Sequence, residues 1–326
     1  MSKQFKRILS VCLVLVLTMV LCAPLASAEG KDPYTDEIKI AYLPNTLASG
    51  NGTVWGQAAG DELAGYENVT YNIFDGKGSA QTQNEVISEL IVQGYDALIL
   101  QPADPSALAA SVARAEQAGI KVITLNIGVE VPHTAHLMAA NIESGIMAAR
   151  QLGEAMGGEG TVGLVDIAAN MRSVVLIGEG FKETMAAEFP NIKVVADSEG
   201  DWTAETANAV TRDYLAKYPD MKGIFTCGDP AAIGAMQAAK AAGREDLMIW
   251  GVDGEKTCIE YIESGDIAGT VYIDYYDMGK TAARFALYAI TLGVDGSTYE
   301  DTPLVKIPAI AVTSENAGTI APDKRW

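Results

Sequence analysis

Short apolar runs alternate with helix-period segments along most of this chain, and the alternation starts over about halfway. Strands are expected at residues 38–43, 70–74, 97–100 and 121–125, separated by helices at 55–64, 81–93 and 106–118. A second series follows, with strands at 161–165, 193–196, 223–225 and 247–250 and helices at 177–188, 203–217 and 231–242. The strand runs are apolar without period-two alternation, as in a parallel sheet covered on both faces. Strand–helix alternation makes the fold α/β. The strongest internal match sets residues 97–126 beside 223–253. Each has an apolar strand, an Asp-Pro pair (Asp104-Pro105, Asp229-Pro230), an Ala-rich helix closed by glycine, and a second strand tipped by Asn126 or Asp253. Aspartate before proline is a good helix start, and Gly119 and Gly243 suit helix ends. Two similar doubly wound parallel-sheet domains, joined near residues 126–141, are the expected architecture.

The first 28 residues stand apart. Lys3, Lys6 and Arg7 precede an apolar run from Ile8 to about Ala23, and Ala26-Ser27-Ala28 follows. This is the order of a secretory signal, with cleavage expected after Ala28. Lipid attachment at Cys22 is disfavoured because Leu21 stands where a small residue is wanted. Removing the signal deepens the formal charge of −19 by three. So acidic a chain, with 42 acidic against 23 basic groups, is a poor binder of nucleic acid or of anionic membrane. Only Cys227 and Cys258 remain in the mature chain, as two thiols or one disulfide.

Doubly wound sheets bind ligands beyond the carboxyl ends of their strands. Those ends carry Asn45, Asp75, Gln101, Asn126, Asp166, Asp201, Gly228 and Asp253, with Trp55 and Trp202 close behind. Amides and a few carboxylates suit the hydroxyls of a neutral polyol, and indole faces suit a sugar ring. Asp253 is the expected anchor; its competing role is to cap the helix after Gly254. The loop Gly50-Asn51-Gly52-Thr53-Val54-Trp55-Gly56 is a near miss to a dinucleotide fingerprint, which leaves an exported nicotinamide-dependent oxidoreductase as an alternative. His133 and His136 form an H-x-x-H without a third ligand nearby, so no metal is expected. There is no nucleophile elbow or P-loop, and no catalytic residue is assigned.

Several stretches carry a family resemblance over about residues 38–316. They are Val92-Gln-Gly-Tyr-Asp-Ala-Leu-Ile-Leu, Ala118-Gly-Ile-Lys-Val-Ile-Thr-Leu-Asn, Gly178-Glu-Gly-Phe, Asp229-Pro-Ala-Ala-Ile-Gly-Ala, Gly251-Val-Asp-Gly and Ile262-Glu-Ser-Gly-Asp-Ile-Ala-Gly-Thr-Val. In this order they resemble the ribose- and galactose-binding type of periplasmic solute-binding protein, which serves ABC transporters. The resemblance implies two lobes, 38–139 plus 275–303 and 140–274 plus 304–316, joined by a three-strand hinge. It implies capture of a small neutral sugar-like ligand and delivery to an ABC permease, by a monomer with no cofactor. A receptor subunit informing a chemosensor is the other role such a fold serves. Carried over by position, Gln101, Asn126, Asn141, Trp202 and Asp253 fall where members touch the sugar. Asn45 and Trp55 lie in a loop that usually contributes, and Arg172 and Asp274 lie near contacting positions. The chain departs from the pattern at Asn126-Ile127, where members often have Asp-Arg, at Val175, where an arginine is usual, and at Gly228, where a polar residue is usual. Its pocket is therefore expected to carry fewer charges than a ribose or galactose site.

Overall fold

The computed structural model describes residues 30–165, 172–195 and 203–325. The expected export signal lies outside these residues, as do Asp166, Asp201 and Trp202. In the first half the apolar runs form β1 (Ile38–Leu43), β2 (Val69–Ile73), β3 (Ala97–Leu100), β4 (Lys121–Leu125) and β5 (Ala135–Ala139). Between them lie α1 (Gly50–Leu63), α2 (Ala80–Gln93) and α3 (Pro105–Gln117). Ser49 and Ser79 start the first two helices, each hydroxyl accepting a first-turn N–H, and Asp104 caps the third through Ser106 and Ala107. Every residue of β3 and β4 is buried, so both sheet faces are covered, as their unbroken apolar pattern requires.

The second half repeats the plan. After α4 (Asn141–Ala155) come β6 (Glu159–Val165), α5 (Arg172–Glu188), β7 (Asn191–Val195), α6 (Ala204–Lys217) and β8 (Gly223–Thr226). Then follow α7 (Asp229–Ala241), β9 (Met248–Asp253), α8 (Lys256–Ser264) and β10 (Gly269–Ile273). The chain closes with α9 (Tyr275–Thr291), β11 (Leu304–Ile307) and β12 (Ala309–Thr313).

Two six-stranded sheets result, in the orders β2-β1-β3-β4-β5-β11 and β7-β6-β8-β9-β10-β12. Strand for strand, the orders correspond. They differ at the last edge, where β11 runs parallel to β5 and β12 antiparallel to β10. The backbone passes between the two sheet systems at residues 139–141, 273–275 and 307–309. Residues 304–307, expected in the second lobe, instead pair with β5 of the first sheet. Pro308, with no N–H to donate, ends that strand, and the chain joins the other sheet at Ala309. Helix α9 returns to the first lobe and packs on α1. Their closest approach depends on Gly279, where a Cβ would stand 2.6 Å from the Trp55 carbonyl oxygen.

Candidate functional site

In both sheets the strand order reverses direction beside the first strand, and the carboxyl ends of the central strands face one cavity of about 390 Å³. Asn45 follows β1, Gln101 follows β3, Asn126 follows β4, and Asn141 opens α4 just after the first crossing. From the other sheet come Cys227 after β8 and Asp253 at the tip of β9. Ser173, Val174 and Ile177 of α5, together with Tyr275 at the start of α9, complete the walls. Five of the nine residues expected at the site thus line one space: Asn45, Gln101, Asn126, Asn141 and Asp253. No described lining residue is Lys, Arg or His.

The first-lobe wall is held by buried amides. The Gln83 side chain, fully buried, donates to the carbonyls of Pro44 (3.1 Å) and Gln101 (2.8 Å) and accepts from the Ala103 N–H (2.8 Å). It thereby ties the ends of β1 and β3 together. Gln101 Oε1 accepts from the Asn45 N–H at 3.2 Å, and Asp75 Oδ1 accepts from the Leu47 and Lys77 N–H groups. The side-chain oxygens of Asn45 and Asn126 are buried with no donor. Buried acceptors are nearly always satisfied, so two unsatisfied ones on one cavity wall call for donors from whatever enters it. Asn126 (φ 61°) and Asp253 (φ 115°) are two of the three non-glycine residues with left-handed backbone among those described. The two matched strand tips therefore share a strained conformation, and such strain concentrates at binding sites.

The second-lobe wall is built differently. Asp229 does not cap α7; that position is Gly228, and the Asp229 carboxylate turns inward and is fully buried. Its Oδ2 accepts from the Gly254 and Glu255 N–H groups, each at 2.7 Å, and its Oδ1 from the Thr270 hydroxyl at 2.6 Å. This brace fixes the turn that carries Asp253. Nor does Asp253 cap α8, whose start has no side-chain cap. Its Oδ1 accepts instead from the Tyr275 hydroxyl at 2.9 Å, a contact that spans the two lobes. Burial pushes the Asp229 carboxyl up to about 6, its hydrogen bonds opposing. Burial and the neighbouring Asp229 raise Asp253 well above the usual carboxylate range, and the same two causes raise Glu255 to about 7.

The remaining expected residues lie elsewhere. Trp55 is fully buried in the first-lobe core, its ring edge-on to Tyr275 with centroids 5.2 Å apart. It backs the cavity wall from behind. Arg172 is exposed at the start of α5, outside the lining, although Ser173 beside it is inside. Asp274 caps α9 through the Asp277 N–H and pairs with Lys324 at 2.7 Å. Trp202 falls outside the described residues. His133 and His136 both hydrogen-bond Thr124 Oγ1 at 2.8 Å; burial lowers both, His136 to about 4, so they are neutral packing groups. Cys227 and Cys258 are buried thiols, not joined in a disulfide. Sequence reasoning missed Tyr275, Ser49, Cys227 and Ser173. The signal available for Tyr275 was its place directly after a crossing strand.

A model of the periplasmic binding protein domain family matches residues 40–293. The chain belongs to that family. Among its relatives, a xylitol-binding protein of Mycolicibacterium smegmatis is 26% identical over 257 residues, 78% of this chain and 72% of that protein. A D-ribose/D-allose-binding protein of Pseudomonas aeruginosa is 26% identical over 335 residues, covering 95% and 99%. A ribose import binding protein of Haemophilus influenzae is 30% identical over 251 residues, covering 76% and 81%. A solute-binding protein from Actinobacillus succinogenes with bound D-allose shares the fold, with a TM-score of 0.78, 24% identity and coverage of 87% and 100%. A Bacillus halodurans protein with bound myo-inositol does so with 0.76, 22%, 87% and 97%. The two-lobed architecture of this family is the one observed. The chain is a ligand-binding protein of the ABC-importer kind, and the oxidoreductase alternative drops out. Gly50, Asn51 and Gly52 form the first turn of α1.

Proposed function

We propose that the protein captures a small neutral sugar or polyol between its lobes and presents it to an ABC permease. The observation that carries this reading is the cavity itself. Amide side chains from the first lobe, two with unsatisfied acceptor oxygens, face the Asp253 carboxyl from the second, with no basic group among the described lining. Hydroxyl groups donate to the free amide oxygens and to the Asp253 carboxyl and accept from the amide N–H groups; phosphates and sugar acids find no cation. Asn45, Gln101, Asn126, Asn141 and Asp253 are the hydroxyl-binding residues of this proposal, with Trp202 as a stacking partner.

The relatives and neighbours that bind ribose, allose, xylitol or myo-inositol support this ligand class. On this reading the chain has no enzymatic activity, is exported with cleavage after Ala28, and acts as a monomer with the permease as its main partner. The test is titration calorimetry of residues 29–326 with D-ribose, D-allose, xylitol and myo-inositol, and with D-ribose 5-phosphate as the charged control. Binding of at least one neutral compound, with rejection of the phosphate, is expected. Preference for the phosphate refutes the proposal.

A further inference from the structure

We propose that Tyr275 sets the length of ligand the cavity accepts, an inference that rests on the sugar-binding reading above. The residue is the first of α9, immediately past the second crossing, and its side chain is 3% exposed. From there it reaches across the lobes, donating its hydroxyl to Asp253 Oδ1 at 2.9 Å. Two features hold the ring in place. Trp55, fully buried, stands edge-on behind it with an interplanar angle of 79°. Gly279, one turn along α9, lets that helix press against the Trp55 backbone. With its tip hydrogen-bonded and its body backed by an indole, the ring is held at two points. It is a braced wall of the cavity.

The same hydrogen bond alters what Asp253 offers. A carboxyl with all its acceptor sites open engages adjacent hydroxyls freely, whereas here one site on Oδ1 already serves Tyr275 and fewer remain for the ligand. The wall and the partly engaged carboxyl act in the same direction, favouring a compact ligand over a longer one extending past Asp253. A pocket discriminates a single added carbon by about tenfold or more when its wall cannot yield.

The experiment measures affinities of the wild type, Tyr275→Phe, Tyr275→Leu and Tyr275→Ala for two pairs of probes matched in form and differing by one carbon, the ring sugars D-ribose and D-allose and the open-chain polyols xylitol and sorbitol. The readout is the six-carbon to five-carbon affinity ratio. Tyr275→Ala is expected to move the ratio about tenfold toward the six-carbon probes. Tyr275→Leu, which keeps apolar packing on Trp55, moves it in the same direction by less and keeps the test standing if the alanine variant does not fold. Tyr275→Phe retains the wall but releases the Asp253 acceptor, and moves the ratio toward the six-carbon probes by about twofold, less than either truncation. A general loss of structure would weaken all four probes together and leave the ratio unmoved. If the wild type binds and the ratio stays fixed in both the Leu and Ala variants, Tyr275 is not the determinant, while the sugar-binding reading survives. If the wild type binds none of the four probes, that reading falls and this inference with it.

Discussion

The two lobes repeat one topology and spend the same residues on different work. In both, an Asp-Pro pair follows the third strand and a polar residue tips the fourth. In the first lobe Asp104 is an exposed helix cap, its carboxyl held below the usual range by the Ala107 and Ser106 groups it binds. In the second, Asp229 is buried and raised to about 6 while it binds a turn from a different strand. The difference is set by what each fourth strand needs beyond its tip. The Asn126 N–H already has the Leu137 carbonyl of the neighbouring strand, whereas the Gly254 and Glu255 N–H groups after Asp253 are taken by the Asp229 carboxylate. A shared dipeptide therefore fixes where a helix begins and leaves open what its aspartate binds.

The sharpest way to break that comparison is to remove both aspartates in turn. Asp229→Ala strands three donors, two of them buried, and is expected to cost about 3 kcal/mol or more of stability, since each unsatisfied buried group costs about 1–3 kcal/mol. Asp104→Ala removes an exposed cap and should cost about 1 kcal/mol. Urea unfolding of the two variants checks the order; equal losses would mean that Asp229 does no bracing.

A smaller effect separates the strand tips from ordinary loop residues. Asn126→Gly and Asp253→Gly relieve left-handed strain, whereas alanine at either position keeps it. Each alanine variant should unfold about 1 kcal/mol more easily than its glycine counterpart, as read from paired denaturant melts without ligand. Identical pairs would show that the backbone is not strained there.

The gentlest prediction uses pH to set one lobe against the other. His133 and His136 have depressed folded values, so the stability they contribute is present above about 6.5 and is lost as pH falls toward 4. Asp229 and Glu255 have raised folded values, so their contribution is present in acid and lost as pH rises through about 6 to 7. Glu116, raised by burial in the first lobe, offsets part of the histidine effect there. Between pH 7.5 and 5.5, intrinsic-rate-corrected hydrogen exchange should show β4 and β5 losing protection relative to β9 and β10, by about tenfold. Parallel changes in both sheets would contradict the assignment.

Much of this architecture was legible in the sequence because parallel strands must be apolar on both faces, and the runs at β1, β3, β4, β8 and β9 are. β5 was not legible: His136 and Met138 give it the alternating burial of a strand nearer the sheet edge. Nor was β11, whose Leu304 and Lys306 are exposed, so its sheet was set by Pro308 and by pairing rather than by pattern. Within the site, strand-end amides could be read because topology places every strand end on one side. Trp55 could not be placed that way. It lies on a helix, where the same spacing serves a core ring or an exposed one, and packing against Tyr275 and Gly279 decides for the core. Tyr275 was hidden for a related reason, since its role depends on a partner 22 residues away in the other lobe.

The central claim is that the ligand is held between the lobes by one strand tip from each. Titration calorimetry of D-ribose and xylitol into the wild type, Asn126→Gly, Asp253→Gly and the double variant tests it most directly. Each single substitution should weaken binding by about threefold or more, the worth of a hydrogen bond in a closed site, with the ligand-free melting temperature kept in Asn126→Gly and lowered in Asp253→Gly only by the loss of the Tyr275 hydrogen bond. The double variant should depart from the sum of the singles, because a ligand that loses its grip on one lobe no longer closes on the other. Wild-type binding that survives unchanged in both single variants would place the ligand somewhere other than this cavity.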